Sequence, residues 1–270
     1  MSSKSSLCTS NLTSGFIDLA TYDELEKYMY GGADATAYFV RETRKSTWFT
    51  QVPVVLSRAS GSPEFGQEWS VTISRAGDYL LNTWLRLTVP KVTNISTCDT
   101  DANGKKTHTV LAWSPNLMHN LVKECCITFN DLVAARFDNY HLDFWSAFTT
   151  PEGKRQGYAN MIGNIPELVG QPAGPGEDLP QTVLNLPLPF FYSRDSGVAL
   201  PTAALPYNDM RINFSFRNWR ELLQAYKLTL EPDNCFSQES IDVKVGTGGT
   251  VSDEPRLSGT GTGVQVWANY

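Results

Sequence analysis

Alternation with a period of two dominates the sequence. Trp69, Val71 and Ile73 alternate with Glu68, Ser70, Thr72 and Ser74, and Leu85, Leu87 and Val89 alternate with Arg86 and Thr88. The clearest run sets Met210, Ile212, Phe214 and Phe216 against Arg211, Asn213, Ser215 and Arg217. Successive strand side chains point to opposite faces, so each run predicts a strand with one buried face. Residues 38–43 and 48–57 are rich in aromatic and β-branched types and are expected to be strands as well. Turn signals such as Gly61-Ser62-Pro63 and Ala76-Gly77-Asp78 separate them. Residues 126–129, Asn130-Asp131 and 132–137 read as a hairpin, because Asn and Asp tolerate the positive φ of its turn.

Three stretches depart from this period. Thr21-Tyr22-Asp23-Glu24 has capping-box form, with Leu25, Tyr28 and Met29 on one helical face and Gly31-Gly32 as a stop. Residues 139–148 place Tyr140, Phe144, Trp145 and Phe148 on one face of a short amphipathic helix. Residues 171–180 hold prolines and glycines and form a loop. Many short strands, long loops and few helices predict a mainly β fold, a sandwich or barrel. Residues 246–263, rich in Gly, Ser and Thr, read as a linker, and Val264–Tyr270 alternates again like a strand.

Composition narrows the function. The chain has 270 residues, 28 acidic against 22 basic side chains and a net charge of −6. Neutralising phosphates takes clustered Lys and Arg, so a protein that coats nucleic acid is not expected. With 41% hydrophobic residues there is material for a real core. No apolar run is long enough for a membrane span, and neither a secretory signal nor a myristoylation pattern follows Met1. Cys8, Cys98, Cys125, Cys126 and Cys235 show no CxxC spacing and read as reduced thiols of an intracellular protein. Adjacent Cys125 and Cys126 would face opposite sides of a sheet.

The search for chemistry returns nothing. His108 follows Lys105, Lys106 and Thr107 in a polar loop and reads as solvated, His119 reads as a structural imidazole, and His141 with Asp143 forms a common His-Leu-Asp spacing. No HExxH, nucleophile elbow or Walker loop is present. Asp99 to Asp101 reads as a solvated turn, and Arg41, Arg44 and Lys45, interleaved with Glu42, as a solvated strand end. The sequons at Asn11, Asn94 and Asn213 are expected to carry no glycan. We therefore expect no catalytic residue, no metal and no cofactor. Apolar connections such as Leu186-Pro187-Leu188-Pro189-Phe190-Phe191 and 199–207 must be buried by a neighbouring element or another subunit.

Several long segments closely resemble the major capsid proteins of iridoviruses. They are residues 11–23 (NLTSGFIDLATYD), 37–52 (AYFVRETRKSTWFTQV), 65–87, 127–148 and 184–216, with Phe191–Pro201 (FYSRDSGVALP) especially distinctive, and the terminal VQVWANY. The resemblance implies a double jelly roll, two eight-stranded antiparallel barrels in one chain. Because the chain is short for two barrels, it is expected to hold an N-terminal arm with a short helix (1–31), a complete first jelly roll (32–220), and a linker with the start of a truncated second (221–270). The terminal strand would then be an unpaired, aggregation-prone edge.

The resemblance further implies a structural, non-enzymatic role. Homotrimers of pseudo-hexagonal outline would tile an icosahedral shell, touching neighbouring capsomers, minor capsid proteins and an inner viral membrane, with no direct contact to nucleic acid. The protein would reside in the virion and be made and assembled in the host cytoplasm. The alternative is a jelly-roll host-attachment or carbohydrate-binding virion protein. A cupin-type enzyme is a third reading, and it lacks metal-ligand spacing.

Overall fold

The three alternating runs are strands whose apolar members all lie in the interior. Trp69, Val71, Ile73, Leu85, Leu87, Val89, Met210, Ile212, Phe214 and Phe216 are buried. The computed structural model describes residues 5–21, 36, 38–94, 99–100, 106–169, 178–230, 236–245, 255–259 and 262–270. It divides into two units, Met1–Phe49 and Thr50–Tyr270.

In the first unit, Ser5–Ala20 is an α-helix whose last turn is closed by the Thr21 hydroxyl donating to the Ile17 carbonyl at 2.7 Å. Leu12, Phe16, Ile17 and Leu19 are exposed. The sequence pattern did not predict this helix, because its apolar positions scatter around the helical wheel. Thr21 was expected to open a helix and instead follows the end of one, and residues 22–35 lie outside the described residues. Residues 38–43 were expected to be a strand. They carry no ladder partner, and Tyr38, Phe39 and Val40 are exposed.

The second unit contains β1 (Pro53–Val55), β2 (Ser57–Gly61), β3 (Glu68–Thr72), β4 (Tyr79–Leu80), β5 (Asn82–Val89) and β6 (Val92–Thr93). Then come β7 (Asp99–Thr100), β8 (Lys106–Trp113), β9 (Val122–Phe129), β10 (Leu132–Asp138), β11 (Thr182–Pro187) and β12 (Leu200–Pro201). The last are β13 (Met210–Phe216), β14 (Leu223–Leu230), β15 (Phe236–Ser240), β16 (Lys244–Val245), β17 (Arg256–Leu257) and β18 (Gln265–Asn269).

One sheet runs β1-β18-β5-β11 and the other β10-β9-β13-β3-β2. The antiparallel pairs are nested. The hairpin β9·β10 lies innermost, then β5·β11, then β3·β13, and β1·β18 closes the set. A long two-stranded ribbon rolled in this way is a jelly roll. The hairpin turn falls where expected, with Asn130 at φ 50 and Asp131 at φ 65. Leu85, Leu87, Leu186 and Val266 from one sheet share a single buried cluster with Val71, Ile127, Ile212 and Phe214 from the other. Each such side chain is worth about 1.5–3 kcal/mol when fully buried. The Pro-flanked run after β11 keeps the alternation, burying Leu188, Phe190 and Tyr192, and the Tyr192 hydroxyl hydrogen-bonds Thr83 at 3.0 Å.

The terminal strand corrects the sequence expectation. Residues 265–269 do not open a second barrel or leave an unpaired edge, because β18 lies between β1 and β5 and pairs with both. Its alternation is that of an interior strand, with Val266 and Ala268 buried, and the long sequence gap before it hides its partners. The expected barrel boundary at 220 therefore falls before the eighth strand of the same jelly roll. Most of 246–263 lies outside the described residues; within it, β17 pairs with β6.

The connections fall into two mutually bonded sets, as alternating antiparallel strands require. Arg75, between β3 and β5, donates to the carbonyls of Leu205 and Asn208, and Asn130 bonds Asn208 at 3.0 Å. In the other set, Lys91 pairs with Asp178 at 2.7 Å, and Ser114 N–H donates to the Leu222 carbonyl at 2.8 Å. This second set carries the three long insertions, 90–121, 139–181 and 217–264. From them β8 and β14 pair along their full length, and with β7 and β15 they form a further sheet.

Candidate assembly surface

One buried imidazole ties two of the insertions together. The helix Leu117–Leu121 follows Asn116, which takes a left-handed φ of 50 and reverses the chain after β8. It places His119 fully out of solvent. Asp143 comes from the helix Asn139–Thr149, whose N-cap Asp138 accepts from the His141 N–H at 2.9 Å. His119 Nδ1 lies 2.5 Å from Asp143 Oδ1, and Nε2 lies 2.8 Å from the hydroxyl of Tyr158 on the helix Glu152–Ile162. A carboxylate accepts only, so Nδ1–H donates to Asp143 and Nε2 accepts from the Tyr158 O–H. Burial lowers the His119 pKa against the opposing pull of Asp143, and it pushes the Tyr158 phenol up to about 12, with the Asp143 charge adding to the shift.

A His–Asp pair invites a catalytic reading, but here the second imidazole nitrogen is occupied by a protonated phenol. The ring is fully buried, and among the described residues its two nitrogens bond Asp143 and Tyr158. The arrangement is a clasp joining three helices. It also has a pH signature. The folded state favours the neutral ring, so as pH falls the unfolded chain takes up the proton first. The contribution of His119 is fully present above its ordinary value of 6.5 and is lost as pH drops through that value toward the lowered one. Urea unfolding at about pH 7.5 and about pH 5.5 should show lower stability at the acid end, and His119→Gln should show less of that decline. An equal decline in both proteins would remove His119 from the effect.

The other histidines and charged groups are scattered. His108 is in β8 opposite Leu228, and His141 stacks on Trp145 with ring centroids 6.0 Å apart. Asp143, two residues after His141, is bonded to His119, 24 positions away in sequence. Asp99 lies in β7, while Asp101 falls outside the described residues. Arg44 pairs with Glu42 at 3.2 Å on an exposed segment that also holds Arg41 and Lys45. Asn94 is buried with its side-chain amide on the Thr109 carbonyl, and Asn213 reaches Cys126 Sγ at 3.6 Å. Asn11 is helical. Cys125 is buried, with its thiol pKa pushed up by that burial, and Cys126 faces the other side of the sheet. Among the described residues no three His, Cys, Asp or Glu converge to hold a metal ion, and no helix is long and apolar enough to cross a membrane.

What the surface does offer is uncovered aromatic area. The helix Asn139–Thr149 falls where the amphipathic pattern placed it; it buries Asn139 and Leu142, and turns Tyr140, Phe144 and Phe148 outward at 74%, 53% and 79% exposure. Spaced four apart, they form one ridge, with the Phe144 and Phe148 rings 4.9 Å from each other. Leu132 and Val133 on the edge strand β10 are exposed as well. Apolar surface gathered in this way marks an interaction face.

A two-sheet jelly roll with helical insertions and an outward aromatic ridge is an architecture that viral capsid, lectin and cupin domains share. The comparisons with known proteins narrow the choice. A family model described as the major capsid protein N-terminus matches residues 37–270, and the chain belongs to that family. It is 61% identical over 269 residues to the major capsid protein of Simulium iridescent virus, covering 98% of this chain and 53% of the relative. To that of Invertebrate iridescent virus 6 it is 58% identical, covering 98% and 55%. To that of Frog virus 3 it is 48% identical over 223 residues, covering 81% and 47%. The chain thus spans about half the length of the curated relatives it matches. Its fold matches the solved Faustovirus major capsid protein, with TM-score 0.58, 10% identity, and coverage of 87% of this chain and 56% of that one. It likewise matches a chain of the PBCV-1 virus capsid, with TM-score 0.54, 17% identity, and coverage of 87% and 45%.

Proposed function

We propose that this jelly roll is one of two barrels in a capsid subunit that forms homotrimers of pseudo-hexagonal outline, which tile the flat facets of an icosahedral virion. The reading is supported chiefly by the exposed ridge of Tyr140, Phe144 and Phe148 on the helix Asn139–Thr149, apolar surface of the kind that marks an interaction face. Family membership sets the context. The role is structural and non-enzymatic, acting through lateral contacts with neighbouring capsomers and with minor capsid proteins. Residues 1–31 supply an inward or lateral contact, the shell meets an inner membrane, and nucleic acid is not touched. Synthesis and assembly take place in the host cytoplasm.

The ridge supplies the test. Phe144→Asp in the full-length protein should leave monomer melting nearly unchanged, since exposed substitutions usually stay within about 0.5 kcal/mol. It should lower trimer yield severely, because a charge would be buried without a partner. Undiminished trimer yield in both Phe144→Asp and Phe148→Asp would take the ridge out of the interface.

A further inference from the structure

A cleft of about 190 Å³ opens between the helix Asn139–Thr149, the start of β5 and the Pro187–Ser193 run. Three aromatic side chains, Trp84, Trp145 and Tyr158, line it together with Pro187 and Pro189, and Asn82, Ser146, Thr150 and Ser193 supply polar groups. No ionisable acid or base other than the Tyr158 phenol is among its lining residues. Arg194 lies over the Trp145 ring at 5.4 Å, and the Ser193 Oγ is buried with no hydrogen-bond partner among the described residues.

From this lining we infer that the cleft is a binding site for a single pyranose ring, as at the non-reducing end of a glycan. Size limits the occupant to about one ring, since pockets for drug-sized ligands run to roughly 300–1,000 Å³. The chemistry selects among single rings. A pyranose has an apolar C–H face that packs on an indole or phenol and a rim of hydroxyls that donate and accept. The cleft offers both surfaces, with Trp84 as the partly exposed aromatic wall, since His141 stacks on Trp145 and the Arg194 guanidinium lies over it. Proline-rich peptides also dock on aromatic grooves, but a prolyl ring has no hydroxyl to meet Ser193 Oγ and needs an extended groove. Jelly rolls serve as lectins elsewhere, so the fold tolerates the role.

The test is ligand-observed NMR on the full chain with the methyl α-glycosides of glucose, galactose and N-acetylglucosamine, and a decaproline peptide as the rival probe. We expect saturable millimolar binding of at least one glycoside and none of decaproline. Ser193→Ala should weaken that glycoside by about tenfold, the loss of one good hydrogen bond. Trp84→Phe, which keeps an aromatic wall, should weaken it by a smaller factor. The inference is overturned if no glycoside saturates, if decaproline binds instead, or if both variants bind the glycoside as the unsubstituted chain does. Trimer yield is read separately, so failure here leaves the capsid role standing.

Discussion

Deletion of Val264–Tyr270 is expected to abolish cooperative folding of the barrel. These residues supply β18, which lies between β1 and β5, and its loss leaves the β5 edge open and β1 with no partner in its sheet. Val266, Ala268 and Tyr270 leave the core with it, and the Tyr270 hydroxyl bond to the Ser74 carbonyl is broken. Burial of the two larger side chains alone is worth about 3–6 kcal/mol. The ladder bonds on both sides of β18 add to that, against a total of about 5–15 kcal/mol for a typical domain. Urea unfolding followed by tryptophan fluorescence should change from a sigmoid to a gradual slope. A sigmoid with its midpoint intact would mean that the strand is dispensable.

Phe214→Ala should be the most damaging of the single core truncations. Phe214 sits at the middle of β13, between β3 and β9, stacked on Trp69 at 4.6 Å and close to Phe216. It is 1% exposed, so its removal leaves a cavity that the flanking strands cannot close without breaking their ladders. The expected cost is about 3–5 kcal/mol. Phe144→Ala, which removes a ring of the same size from the exposed ridge, serves as the control and should cost under about 0.5 kcal/mol. Comparable losses in the two variants would contradict the assignment of core and surface faces.

Local pattern located most of the barrel. Every apolar residue in the three alternating runs is buried, because a period of two needs only a strand and one covered face. The hairpin at Asn130-Asp131 was legible for the same reason, since its turn chemistry is local. Long-range features were not. Nothing near Val264 shows that it pairs with residues 82–86, so an interior strand looked like a loose end. The β8·β14 sheet was missed because Lys106–Trp113 begins with polar residues and lies far from its partner in sequence. His119 read correctly as structural, but its partners come from two other helices and cannot be inferred from spacing. The aromatic face of Asn139–Thr149 was visible as a pattern. Its outward orientation was not, because periodicity gives the face of a helix and not the side that faces the core.

The central claim is that this barrel belongs to a trimeric capsid subunit. Its most direct test is native mass spectrometry of capsomers released from purified particles, with peptides of this chain identified in the dominant species. Three copies of a polypeptide well above 30.0 kDa is the expected result. A monomer, or a minor virion component of 30.0 kDa, would contradict the account and favour an accessory single-barrel role.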